Sequence, residues 1–394
     1  MVKIYQIISI LLLITLSFIP KQIDMRINYA IIGFAILTFP LFFKNVKEDI
    51  KSGNITTIFF ILFLIACSLS TIFSIDQKRS IVQLMLFASY FVVFTSIRSI
   101  FPTLRSKEVL GSWFLVLSLI LSTISLYHTL ILKYVNRASE GVSFMWIYYG
   151  HNHLSALLLF AIPIAFYLIK KYWKTKRLNA LLFITCYVLL VTLFFTLARA
   201  AMLSLFVASL LSFLVFPNII ARQGRVILLI GIIFTLAVLL FGILASNRSF
   251  PTYRGAMPLN ENNSRIVYWK QAISNFQKHP LFGSGLDTFR IINKRSPQPK
   301  GIPGSYFVHN FFLQILSDTG IFGFLSSIGL IGSVLWKSVR RVFEIRNSQK
   351  ALLLAFWVGL LATTLNTMID FDWQLPVVFL IFWIFAGFLT SKHV

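Results

Sequence analysis

SNRSFPTYRGAMPLNENNSRIVYWKQAISNFQKHPLFGSGLDTFRIINKRSPQPKGIPGSYFVHNFFLQILSD, residues 246–318, is the one long polar stretch in a chain otherwise dominated by apolar runs. It holds nine of the 36 Lys+Arg residues: Arg248, Arg254, Arg265, Lys270, Lys278, Arg290, Lys294, Arg295 and Lys300. It is the only place where many consecutive residues are spent outside hydrocarbon, so the chemistry is expected there. A basic loop between lipid-soluble helices suits a ligand with an apolar tail and an anionic head.

Outward from this stretch the chain is 57% hydrophobic and 12% charged, with a mean hydropathy of +0.82. These values exclude an ordinary soluble globule and point to a polytopic membrane protein. A bilayer core of about 30 Å needs roughly 17–25 apolar residues per helix. About twelve stretches qualify: 4–19, 28–43, 55–75, 81–97, 109–132, 151–169, 178–197, 200–217, 226–245, 319–336, 351–368 and 375–391. The expected fold is therefore all-α, with nine spans in 1–245, an extracytoplasmic loop at 246–318, and three spans in 319–394. The opening run from Ile4 to Ile19 lacks a small-x-small cleavage site before Pro20 and is read as a retained first helix.

The formal net charge of +24 is explained first by topology, with no need for nucleic acid. With the N-terminus inside, the inward pieces carry 20 Lys/Arg, while each short outward loop carries two or fewer. That asymmetry follows the positive-inside rule and predicts a cytoplasmic membrane protein with both termini inside and the long loop outside. The clusters at Lys170–Arg177 and Lys337–Arg341 are read as topology anchors on the inner leaflet, with contact to membrane lipid. Cys67 and Cys186 fall inside spans and act as small apolar filler.

Within the loop, Asn263-Ser264 offers a helix cap, followed by Ile266, Trp269, Ile273 and Phe276 at helical spacing. This predicts an amphipathic helix lying in the interface and stopping at His279-Pro280. Gly283-Ser284-Gly285 reads as a turn, and 291–307 as an irregular flap. All twelve carboxylates are expected outside the spans, which argues against a proton- or sodium-coupled transporter. Asp370-Phe371-Asp372 has D-x-D spacing, yet in a tight turn it is read as two carboxylates keeping a hairpin wet. His151-Asn152-His153 opens a span; residues two apart on a helix point to different sides, so capping or substrate hydrogen bonding is favoured over a metal. No metal or other cofactor is expected.

Three groups stand out. Arg199, in Thr196-Leu197-Ala198-Arg199-Ala200-Ala201, is pinned at a membrane edge with almost no loop. Its planar fork suits phosphate oxygens, although a snorkelling turn arginine fits the same place. Arg265 falls just after the helix cap, where free N–H groups add to its charge. His309 leads into the tenth span and can accept a proton near neutrality, or simply cap the helix.

His309-Asn310, nine residues and Gly320-Ile321-Phe322-Gly323 fit the pattern H-[NSQ]-x9-G-x-x-G. Together with the loop before it, the stretch Asn263–Phe289 and the Thr-Leu-Ala-Arg-Ala segment, residues 140–390 resemble the bacterial O-antigen ligase and polymerase superfamily. The resemblance implies a GT-C-like, metal-independent, inverting transferase on the outer face of the cytoplasmic membrane. Its donor would be a glycan on undecaprenyl pyrophosphate. Its acceptor would be a glycan or a lipid-linked sugar, such as that of lipopolysaccharide. Matched by motif, Arg199 and Arg265 would hold the pyrophosphate and His309 would deprotonate or orient the acceptor hydroxyl. The family often places a second Arg or Ser-Arg beside the first arginine, whereas here it is Ala198-Arg199-Ala200. Lys270, Arg290, Asn310, His151 and His153 are accessory candidates. Two other classes compete: a transporter of polysaccharide or lipid-linked sugar, and an envelope scaffold.

Overall fold

A computed structural model describes residues 2–18, 25–127, 151–196, 198–217, 231, 261–297, 302, 304–345 and 350–391, with backbone alone at 151–152 and 261–263. Among these residues the helices are α1 (Val2–Ser17), α2 (Met25–Lys51), α3 (Ile55–Ile72), α4 (Gln77–Ile100), α5 (Leu104–Tyr127), α6 (His151–Lys171), α7 (Lys176–Phe195), α8 (Arg199–Val215), α9 (Glu261–Lys278), α10 (Phe289–Arg295), α11 (Phe311–Glu344), α12 (Lys350–Thr367) and α13 (Pro376–Thr390). Eight are long and apolar enough to cross a membrane, and α1, α8 and α13 are shorter apolar helices. The chain is a multi-pass membrane protein. The expected span 226–245 lies outside the described residues apart from Gly231.

The axis of the bundle is α13, which is apolar on every side and therefore suited to burial. Every residue from Pro376 to Leu389 is buried. Pro376 starts the helix where its missing N–H is no loss. Helices α4, α11 and α12 pack around it. Aromatic rings fill the seams: Trp383 lies 4.6 Å from Phe60, and Trp373 lies 4.4 Å from Phe382. At Gly387 a Cβ would collide with Ile97, so glycine lets α4 approach. Much of the phenylalanine thus fills the core, not only the lipid-facing surface.

The helices run further than hydropathy suggests, and this moves the carboxylates. Asp49 lies on α2, two residues before its end, in a buried ion pair with Arg98 of α4 at 2.8 Å. Glu108 lies on α5, four residues after its start, bonded by Tyr167 and Lys171. Asp318 is buried within α11. The expectation that all acids avoid the spanning helices fails there, because turns such as 101–103 are short and the helix ends carry the polar residues.

Helix α11 starts at Phe311, eight residues before the expected span, and is broken at Gly320 (φ 65°, ψ −162°). The part after the break, 24 residues at about 1.5 Å each, is long enough to cross alone. At the break the polar loop docks. Ser284 and Gly285 donate to the carbonyls of Ser317 and Asp318 at 3.2 and 3.0 Å, and Ile321 donates to Pro280 at 2.9 Å. The groups freed by the break are satisfied by the loop, as buried backbone requires. A Cβ at Gly320 would strike the Leu281 backbone, and one at Gly283 would strike Asp318. The first glycine of G-x-x-G therefore serves this crossing.

Helix α9 is described from Glu261 onward, so Asn263-Ser264 lie within it and do not cap it. Its packed face is Tyr268, Ala272 and Asn275, while Ile266 and Ile273 are exposed. Asn275 Nδ2 lies 2.9 Å from Ser284 Oγ and 3.0 Å from the Ser317 carbonyl, which fixes α9 to the docked loop. Residues 289–295, partly assigned to a flap, form α10.

Candidate active site

The turn between α12 and α13 is where the site is built. The amides of Ile369 and Asp370 both donate to the Asn366 carbonyl at 3.0 Å, which closes the chain tightly after α12. Asp370 and Asp372 are only 2% and 1% exposed, so they do not wet the hairpin. A buried carboxylate needs partners, and each finds a histidine from another element.

Asp370 takes three. Its Oδ1 accepts from the Phe371 amide at 2.9 Å and faces His309 Nδ1 at 3.5 Å. Its Oδ2 lies 3.4 Å from an Arg265 guanidinium nitrogen. Burial would raise this carboxyl, but His309 and the Arg265 charge outweigh it and hold Asp370 below the usual carboxylate value. Asp372 differs: burial and the neighbouring Asp370 charge push it well above that value. Its Oδ2 accepts from Asn366 Nδ2, and its Oδ1 faces His153 Nδ1 at 3.6 Å.

His309 is placed by its neighbours on both sides. Val308 donates its amide to Gln314 Oε1 at 3.0 Å, and Asn310 caps α11 by accepting from Leu313 at 3.0 Å. Between these anchors His309 adopts φ 58°, a left-handed conformation that costs a β-carbon residue about 1–3 kcal/mol. The ring meets Phe371 edge-on with centroids 4.6 Å apart and faces Tyr268 at 5.8 Å. With Nδ1 turned to Asp370, Nε2 is left as the basic edge. An Asp–His pair of this kind stabilises the imidazolium formed when a hydroxyl is deprotonated.

Arg265 sits inside α9, with at least four helical residues before it, and not directly after a cap. Its anchorage is Asp370, not a free helix terminus. His309 and Arg265 are thus brought onto one carboxylate. Arg199 is not: it opens α8 and is exposed, and among the described residues no ion pair joins it to the turn. It does share the turn's end of the bundle. Helices α6, α7 and α8 are joined by short links, so α8 starts at the end where α6 starts, beside Asp372.

Among the accessory candidates, His153 and Asn310 reach the turn. Asn310 Nδ2 donates to the Met368 carbonyl at 2.7 Å. Lys270 is exposed. The charge of Arg290 acts on Asp287, whose carboxylate is held by Arg79 at 3.0 Å. His151 opens α6, and its side chain lies outside those described. Among the described residues no three His, Cys, Asp or Glu side chains stand together so as to hold a metal ion. Reasoning from sequence missed the two carboxylates as the hub. The available signal was an acid pair flanked by Phe371 and Trp373, with no room for water.

The family model described as O-Antigen ligase matches residues 184–328. The match includes Arg199, Arg265, His309 and the glycines at 320 and 323, and ends before the Asp370 turn. No curated protein matches the chain. Over residues 184–328, which carry His309 and Arg265 to one buried carboxylate, the chain is similar to the O-antigen ligase family.

Proposed function

We propose that this protein transfers a glycan from undecaprenyl pyrophosphate to an acceptor hydroxyl, at the outer face of the cytoplasmic membrane. The observation that carries the reading is Asp370, buried and shared between His309 and Arg265. Pyrophosphate is already a good leaving group, so transfer mainly needs its charge neutralised as the C1–O bond breaks. Arg265, with Arg199 at the same end of the bundle, supplies positive charge at a desolvated edge. His309 Nε2 takes the acceptor proton while Asp370 balances the charge that forms. Direct attack at C1 inverts the anomeric centre, and no step requires a divalent ion.

The acceptor decides between ligation and polymerisation, both of which occur in the superfamily. The test is to incubate the purified protein with a defined polyprenyl-pyrophosphate glycan and candidate acceptors, then analyse what becomes glycosylated. Wild-type protein should release polyprenyl pyrophosphate with stoichiometric glycosylation, and His309→Ala should do neither. Undiminished transfer by His309→Ala would refute the assignment.

A further inference from the structure

Two imidazoles, not one, are held by the Asp370–Asp372 turn. We propose that His153 contacts the lipid-linked donor, donating a hydrogen bond from Nε2–H to a diphosphate oxygen, and that Asp372 holds it in the tautomer opposite to that of His309. The proposal rests on the transfer reading above but can be tested without any transfer.

The two pairs look alike in outline. His309 and His153 each turn Nδ1 to a carboxylate, at 3.5 and 3.6 Å, and each meets Phe371 edge-on, with centroids 4.6 and 5.0 Å apart. Their proton supply differs. Asp370 has Arg265 and the Phe371 amide to hold it ionised, so it accepts from His309 Nδ1–H. Among the described residues Asp372 has no cation within ion-pair distance except His153 itself, and it lies next to a carboxylate that is already charged. The groups around it are Asp370 and Asn366, the imidazoles of His153 and His309, and Arg265; α13 brings no charged residue. A second negative charge there is opposed by burial and by Asp370, which favours the protonated acid at Asp372.

Its proton has one place to point. Asp372 Oδ2 is occupied by the Asn366 amide, while Oδ1 and His153 Nδ1 are both buried, face each other at 3.6 Å and have no other polar partner among the described residues. The acid donates from Oδ1 to Nδ1, and the remaining ring proton goes to Nε2. Nδ1 is fully buried, so the 13% of the His153 side chain left open lies on the far edge of the ring, where Nε2 is. A neutral N–H there binds an anionic oxygen without adding charge. The same protonation keeps the second carboxylate from repelling a diphosphate.

The direct test is the tautomer. Full-length protein labelled with 15N-histidine contains six imidazoles, which His153→Gln and His309→Gln variants assign. Near neutral pH the His153 resonance should show the Nε2–H form, and the neutral His309 resonance the Nδ1–H form. His153 found as Nδ1–H would overturn the proposal even if transfer is confirmed. The kinetic test uses a defined polyprenyl-pyrophosphate glycan. His153→Ala should raise the donor KM about ten- to hundredfold with kcat changed only a few-fold, as expected for a lost hydrogen bond to a charged group. His153→Gln, which restores an N–H donor, should recover most of that loss. A fall in kcat with unchanged KM, or no rescue by glutamine in folded protein, would reject the donor contact. Asn366 orients any amide at position 372 so that its NH2 faces His153, so Asp372→Asn should keep the Nε2–H form at all pH. Wild type should show a donor KM that rises at alkaline pH as Asp372 loses its proton, and Asp372→Asn should abolish that rise. Persistence of that rise would reject a protonated Asp372.

Discussion

Asn310 donates its side-chain amide to the carbonyl of Met368 at 2.7 Å, so the residue after His309 is fastened two residues before Asp370. The same side chain caps α11 through Leu313. Two functions on one amide can be separated. Asn310→Asp keeps the cap and loses the donor; Asn310→Ala loses both. Cap and hydrogen bond are each typically about 1 kcal/mol. We expect Asn310→Asp to lower transfer about tenfold and to lower the melting temperature by less than Asn310→Ala, which loses the cap as well. Equal melting losses in the two variants would contradict the division.

Asp370→Asn should lower kcat about 10²–10⁴-fold while leaving the protein folded, because the amide cannot balance an imidazolium. Initial rates with saturating donor and acceptor check this. A chelator should leave the wild-type rate unchanged. Inhibition by EDTA that Mg²⁺ or Mn²⁺ restores would turn the turn into a metal site.

Arg265→Ala leaves Asp370 buried without its fixed cation. Breaking a fully buried pair costs about 3–5 kcal/mol, and the partly exposed arginine moderates that to about 1–3 kcal/mol. Arg265→Lys keeps the charge but loses the planar fork, so it should recover stability better than donor affinity. Thermal unfolding in detergent and donor KM measure the two separately.

Gly320→Ala and Gly283→Ala should each destabilise by about 3–5 kcal/mol, since both combine positive φ with a backbone collision. Gly332→Ala, where open space surrounds the added carbon, serves as the control and should be neutral. Folded yield and melting temperature are the readouts.

Asp372 also gives stability a pH slope. In the unfolded chain it titrates near the ordinary aspartate value of about 3.9; in the folded protein burial and Asp370 hold it well above that. Between those values the folded state binds more protons, so this group's contribution is full below about pH 4 and is lost as pH rises. The melting temperature of Asp372→Asn relative to wild type should therefore climb as pH increases from 4. A difference independent of pH would show that Asp372 is not protonated in the folded protein.

Much of this was legible in the sequence because membranes make patterns coarse. Long apolar runs gave the helical bundle, and the H-N…G-x-x-G spacing singled out His309 before its surroundings were visible. Tertiary facts were not legible. Nothing local says that Asp370 is buried, since a D-F-D turn between two spans also suits an exposed hairpin. Arg265 looked like a helix-terminus anion site because Asn263-Ser264 mimic a cap, while both residues lie within the helix. Helix ends were drawn too short, since charged residues such as Asp49 and Arg98 neutralise one another across α2 and α4.

The helix at the centre of the bundle, α13, follows all the other described helices in chain order. Ribosomal synthesis therefore delivers the walls before the pillar they enclose. Until α13 arrives, the faces of α4, α11 and α12 that will surround it have only lipid or a chaperone to cover them. The Asp370 turn joins α12 to α13, so insertion of this last hairpin is also the step that brings His309, Arg265 and His153 together. A nascent or truncated chain that lacks α13 would reach the membrane without these side chains assembled, and on the proposed reading would be inactive.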